Sequence, residues 1–266
     1  MTKTLAGANI LVTRPAHQAG QLAEKIRLAG GHPVLFPVLE IRDTANPGLL
    51  LELIRRLDEF DLAIFISPNA VNKAMTRISA MRPLPPGLKV AAVGQGTSRA
   101  LAHFGLDNVI APAKRFDSES LLDVAELREV ADKRVVIFRG DGGRELLGDT
   151  LWKRGATVEY VECYRRVKPE VDITPLRMAA SGGLDAITIT SSEGLRNLCE
   201  MVGDAEQAWL KKAPLFVSHE RIAETAGTLG FTHVILTPSG DDGLLEGMSN
   251  YFRSRASAEN SVSSRQ

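Results

Sequence analysis

DLAIFISPNAV, Asp61 to Val71, runs apolar from Leu62 to Ile66 and turns polar at Ser67, Pro68 and Asn69. A strand without polar–apolar alternation is one covered on both faces, as in a parallel sheet with helices on each side. Serine at the turn suits a helix start, where its oxygen accepts a first-turn amide. The stretch therefore reads strand, turn, helix. It returns 124 positions later as DAITITSSEGL, Asp185 to Leu195. Working outward, ILVTR from Ile10 returns as VVIFR from Val135, so that Arg14 and Arg139 lie 125 apart, as do Gly30 and Gly155. Three blocks at an offset of 124 or 125 predict two copies of one α/β unit, and so two similar lobes with a cleft. The period is far too long for a solenoid.

The first copy predicts strands over 9–12, 33–41, 62–66 and 90–93, with a short one over 108–110. Helices are expected over 17–29, after Ser67, after Gly94 and from near Ser118. The second copy predicts strands over 134–138, 157–164, 186–190, 215–217 and 233–236. Its helices are expected over 143–154, after Ser191, after Ser218 and from near Asp242. Strands alternating with helices throughout make the class α/β. The polar, proline-containing stretches 42–48 and 168–174 read as linkers. A cut on the copies alone falls near residue 130.

The 266 residues suffice for one large domain or two ordinary ones, and 44% apolar content suffices for proper cores. Lys and Arg total 32, balancing 32 Asp and Glu, which argues against a nucleic-acid partner. Cys163 and Cys199 are too few for a disulfide scaffold or a zinc site. The start MTKTLAGANI has no apolar signal core and no run is long enough to span a membrane, so a cytoplasmic soluble protein is expected. The Ser- and charge-rich end from Arg253 is expected to fray.

Ligands of parallel α/β sheets bind where the strands end at their carboxyl side. Six turns stand there: Thr13-Arg14-Pro15, Ser67-Pro68-Asn69-Ala70, Gly94-Gln95-Gly96-Thr97, Arg139-Gly140-Asp141, Ser191-Ser192-Glu193-Gly194 and Ser218-His219-Glu220-Arg221. Any one serine or threonine here is explained equally well as a helix cap. Six such turns, three of them with an arginine, point to an anionic ligand held by amides, hydroxyls and guanidinium groups. Arg14 and Arg139 suit bidentate capture of a carboxylate, or equally an ion pair within the turn. His219 reads either as a base or as a surface residue. Tyr164 reads either as a core tyrosine with a wet hydroxyl or as a donor to ligand. Its counterpart in the first copy is Leu39, so the repeated fold does not require the hydroxyl. Gly94-Gln95-Gly96 lacks the third glycine of a dinucleotide site, there is no P-loop lysine motif, and the five histidines show no ligand spacing. No cofactor and no metal are expected.

At these turns the chain resembles the uroporphyrinogen-III synthases. The resemblance rests on ILVTRP from Ile10, FPVLEI from Phe36, IFISPNAV from Ile64, VAAVGQGTSRALAHFG from Val90, LWKRGATVEYVECYRRV from Leu151 and ITSSEGL from Ile189, and covers about residues 10–252. It implies an enzyme that closes the linear tetrapyrrole hydroxymethylbilane into uroporphyrinogen III without a cofactor, losing water and inverting the last pyrrole. The carboxylates of that substrate suit strand-end amides and arginines. A catalyst for this step has chiefly to hold the chain folded and exclude water. The resemblance further implies a monomer that receives the bilane from the preceding enzyme of the pathway.

The resemblance also moves the domain cut. It implies two flavodoxin-like, doubly wound parallel-sheet lobes joined by a two-stranded ladder. Lobe one is then 1–36 with 171–253, lobe two 44–161, the ladder 37–43 with 162–170, and 254–266 a flexible tail. The family tyrosine credited with helping the leaving hydroxyl corresponds to Tyr164, and the threonine of the lobe-two glycine turn to Thr97. In lobe one the corresponding Gly-x-Thr turn is replaced by Ser218-His219-Glu220-Arg221. A gapless match sets Ile222 opposite Thr97, and one inserted residue would shift it. Ser218, His219 and Arg221 are the candidates to supply that contact. A two-lobed receptor or sensor without turnover and a flavodoxin-like redox protein are the alternatives.

Overall fold

The structure is a computed structural model and describes residues 4–113, 116–143, 145–204 and 207–263. Along the chain run β1 (Asn9–Val12), α1 (Ala16–Leu28), β2 (His32–Leu35), β3 (Glu40–Asp43), α2 (Pro47–Arg55), β4 (Leu62–Phe65), α3 (Pro68–Met81), β5 (Lys89–Ala92) and α4 (Gln95–Ala102). There follow α5 (Ser118–Leu122), α6 (Ala125–Arg128), β6 (Arg134–Gly140), α7 (Leu146–Lys153), β7 (Thr157–Val167), α8 (Thr174–Ser181) and β8 (Leu184–Ile189). The chain ends with α9 (Ser192–Val202), α10 (Gln207–Leu210), β9 (Leu215–Val217), α11 (Glu220–Thr228), β10 (Val234–Leu236) and α12 (Gly240–Ser263).

Two compact units result. Residues up to Glu40 and from Val167 onward form unit one; Ile41–Arg166 form unit two. Each holds a five-stranded sheet, ordered β10-β9-β8-β1-β2 in unit one and β3-β7-β6-β4-β5 in unit two. The central pairings are parallel, with Leu11 beside Ile187 in one sheet and Ile64 beside Ile137 in the other. Both sheets draw strands from both sequence copies, so copies and units are out of phase. In unit two the stacked rings of Phe65 and Phe138, 4.7 Å apart, lie among α2, α3 and α4, while Ile64, Val135 and Ile137 face α5, α6 and α7. In unit one Leu11 and Ile187 face α8, α9 and α11, and Ile10 and Ala186 face α1 and α12. Helical spacing supplies the other half of each core, as in α3, which buries Ala70, Val71, Ala74, Met75 and Ile78 on one face.

Several elements differ from expectation. The strand expected over 33–41 is two strands, β2 and β3. Phe36 and Val38 still donate to Val12 and Thr13, but Pro37 between them has no amide to give and the chain turns away. Its sister β7 contains no proline and runs unbroken for 11 residues. The linker stretches are partly structured: Arg42 and Asp43 belong to β3, Pro47 and Gly48 open α2, and Thr174 opens α8. In both helices a proline occupies the first turn, where its missing amide costs nothing. The short strand expected over 108–110 is a single bridge between Ile110 and Ala91. The helix expected over 143–154 begins at Leu146, and Arg144 lies outside the described residues. The segment expected as a flexible tail continues α12 to Ser263, since no glycine or proline after Gly247 stops it. Residues 1–3 and 264–266 lie outside the described residues.

Candidate functional site

In unit two, Ser67 is the N-cap of α3, its Oγ accepting the Ala70 amide at 3.1 Å. The same oxygen lies 3.0 Å from the Tyr164 hydroxyl. Tyr164 reaches it because β6 and β7 slip by one residue: Arg139 pairs with Glu162, but Gly140 pairs with Tyr164. The slip turns the Tyr164 ring onto the face occupied by Val161 and lays it over Gly140, where a Cβ would come within 2.6 Å of Cζ. Tyr164 is 6% exposed, so packing fixes the ring. The Asp141 amide donates to the Tyr164 carbonyl at 2.9 Å and tethers the turn after β6 to β7. Pro68 is exposed, Asn69 half-buried and Ala70 fully buried.

The glycine turn after β5 stands beside this group. Gly94 is the N-cap of α4, and Gln95 and Gly96 are exposed. Thr97 is the third residue of the helix and 2% exposed; its hydroxyl makes no hydrogen bond to the described residues. Arg139 turns elsewhere. Successive residues of a strand face opposite ways, and its guanidinium lies 4.5 Å over the Tyr160 ring on the α7 side, away from Gly140 and Tyr164.

In unit one Ser191 repeats the cap, its Oγ accepting the Gly194 amide at 3.0 Å. The other polar groups are used internally. Thr13 donates to the Thr188 carbonyl at 2.7 Å and Thr188 to the Leu11 carbonyl at 2.9 Å, which stitches β1 to β8. Ser192 lies 3.0 Å from the Thr225 hydroxyl of α11. Arg14 is paired with Asp241 at the start of α12, where the carboxylate also faces a helix N-terminus. Glu193, His219 and Arg221 are exposed and Ser218 is buried. His219 caps α11 as Gly94 caps α4, so Ile222 occupies the position of Thr97 with no residue inserted. Ile222 is 1% exposed and part of the core, which leaves this turn without a buried hydroxyl there.

The sequence did not announce three partnerships: Ser67 with Tyr164, Arg14 with Asp241, and Arg139 with Tyr160. The partners are 97, 227 and 21 positions apart, and the first depends on a strand slip that no residue pattern marks. Among the described residues no three His, Cys, Asp or Glu side chains converge as metal ligands, and no helix is long and apolar enough to cross a membrane. The Cys163 thiol, sealed beneath α2, is pushed up to about 12 by burial.

Two parallel α/β units, each setting hydroxyl-capped helix starts at the ends of its strands, define a two-domain protein of flavodoxin-like architecture. The sequence profile described as "Uroporphyrinogen-III synthase HemD" matches residues 20–245, and the chain belongs to that family. It is 33% identical over 240 residues to the uroporphyrinogen-III synthase of Escherichia coli K12, covering 89% of this chain and 98% of that one. It is 32% identical over 202 residues to that of Synechococcus elongatus, covering 74% and 76%. The fold is shared with a mutant uroporphyrinogen III synthase of Thermus thermophilus, with a TM-score of 0.62 at 19% identity over 93% of this chain and all of that one. The Helicobacter pylori enzyme gives 0.56 at 14% identity over 90% and 97%.

Proposed function

We infer that the chain carries out the family's reaction, closing hydroxymethylbilane to uroporphyrinogen III with inversion of the last pyrrole and loss of water. The observation that carries this reading is the Tyr164 hydroxyl, fixed over Gly140 and joined to the capping Ser67 at the mouth of α3. A phenol held there would donate a proton to the departing hydroxyl, which leaves as water and gives an azafulvene for the ring-closing attack. Such a positioned donor is worth about a hundredfold or more in rate. Thr97 at the neighbouring helix start adds a second hydroxyl. The substrate's carboxylates are assigned to the amides of the turns at Ser67–Ala70, Gly94–Thr97 and Ser191–Gly194, and to the exposed His219 and Arg221. Arg14, neutralised by Asp241, is assigned to the scaffold. The enzyme is further proposed to act as a cytoplasmic monomer, taking the bilane from the enzyme that makes it.

Incubating the purified protein with hydroxymethylbilane and separating the oxidised porphyrins by isomer tests the reading. Type III is expected in excess. Type I alone, as formed without enzyme, sinks it; ligand affinity without turnover would instead favour a binding module.

A further inference from the structure

A cavity of about 400 Å³ opens in unit two between α2 and β7, sharing no residue with the Tyr164 group. Arg139 lines it, 8% exposed, with its Nε sealed from solvent and without a hydrogen-bond partner. Among the described residues its guanidinium has no carboxylate within ion-pair distance. A buried charge in that condition is costly unless something pairs with it. The surroundings hold it there by design. Its guanidinium lies 4.5 Å over the Tyr160 ring. That ring is itself locked: its hydroxyl accepts the Gly148 amide at 3.1 Å and donates to the Glu145 carbonyl at 3.2 Å. Gly148 is required beneath it, since a Cβ would come within 2.2 Å of the hydroxyl. A guanidinium stacked on a fixed aromatic face keeps its edge for a planar, bidentate acceptor, which a carboxylate is.

The rim has the opposite charge. Glu52, Glu145 and Glu162 line the same cavity and are exposed, while Arg56 is already paired with Glu159 at 2.9 Å. A bare anion is therefore repelled on its way in, whereas a ligand with a carboxylate at one end and an ammonium group at the other meets both charges. We propose that this cavity binds a small amino carboxylate, its carboxylate on Arg139 and its ammonium group at the glutamate rim. The site goes beyond the ring-closing reaction and does not depend on it.

The test is thermal unfolding and calorimetry of the full chain with a panel of L-amino acids, each beside its amine and its carboxylic acid as half-ligands. One amino acid is expected to raise Tm by about 3 °C at ten times its Kd. It should bind at least about tenfold more tightly than either half-ligand, the scale of one charge-assisted hydrogen bond. Arg139→Lys should abolish the shift, and Glu52→Gln with Glu162→Gln should bring the amino acid down to the affinity of its acid. Arg139→Met should raise the Tm of the unliganded protein, because a charge without a partner has been removed. Equal binding of acid and amino acid, no binding by any member of the panel, or a fall in Tm for Arg139→Met would each overturn the proposal.

Discussion

The turn after β5 and the turn after β9 occupy equivalent places in the two units and differ in what they spend their side chains on. After β5, Gly94 caps the helix, Gln95 and Gly96 are open to solvent, and Thr97 brings a hydroxyl without a hydrogen-bond partner among the described residues. After β9, His219 caps the helix and Ile222 takes the threonine position as part of the core. The strand-end partners differ in the same sense. Unit two sets Tyr164 against Ser67, while unit one joins Thr13 to Thr188, Ser192 to Thr225 and Arg14 to Asp241. The repeated pattern thus yields one unit whose strand-end hydroxyls meet one another at a helix start and another that spends its polar groups on joining strands and helices. The proposed proton donor accordingly belongs to unit two.

Replacing Tyr164 is the most direct way to break this contrast. Tyr164→Phe is expected to lower kcat about a hundredfold or more while KM moves little, as for a group that acts in the transition state. Loss of its bond to Ser67 should cost stability only about 1 kcal/mol. Isomer-resolved kinetics with a melting curve checks both, and an unchanged kcat would take Tyr164 out of the mechanism. Gly140→Ala reaches the same ring from below. The new Cβ would sit 2.6 Å from Cζ, so the ring must shift. A rate loss of up to tenfold is expected, with about 1–3 kcal/mol of destabilisation from overpacking. Full activity in this variant would show that the ring's position is immaterial.

How much of this was legible beforehand follows from the range of each signal. The apolar runs at Leu62 and Ala186 and the capping serines gave strand, turn and helix correctly, because these are local effects of burial and amide satisfaction. The break in the first copy at Pro37 is also local, a missing amide within the stretch read as one strand over 33–41. Pro47 and Thr174 read as linker, although a proline in a first turn, Pro47 in α2 and Pro175 in α8, equally marks a helix start. The candidate turns do follow the strands of the two sheets, but the direction of their side chains is not written in the residue pattern. Tyr164 depends on a one-residue slip and Arg139 on strand alternation relative to a neighbour, both set by register rather than composition.

Exchanging the third helical residues sharpens the contrast between the turns. Thr97→Ala is expected to cost about threefold in kcat/KM, since one hydroxyl is lost and the adjacent amides remain. In the other unit Ile222→Thr puts a hydroxyl into a position 1% exposed and packed in the core. It should destabilise by about 1–3 kcal/mol and bring no gain in rate. A faster enzyme would mean that unit one lacks only that hydroxyl.

The two thiols give the smallest effect and compare the cores themselves. Cys163 is pushed up to about 12 by burial, and the Cys199 thiol is raised by burial too, though less deeply enclosed. At pH 8 a thiol of pKa about 12 is ionised in roughly one molecule in ten thousand, against about a quarter for a free cysteine. Alkylation of the native protein by iodoacetamide, mapped by mass spectrometry, should therefore mark Cys199 first and Cys163 only as the chain unfolds. The sign for stability follows from the same shift. Below about pH 8.5 the thiol is protonated in folded and unfolded chains alike and costs nothing. As the pH rises from there toward 12 only the unfolded chain ionises, so stability falls. Cys163→Ala should flatten that alkaline decline. Early labelling of Cys163, or an unaltered decline in the variant, would place the more open core in unit two, beside the very hydroxyls assigned to the reaction.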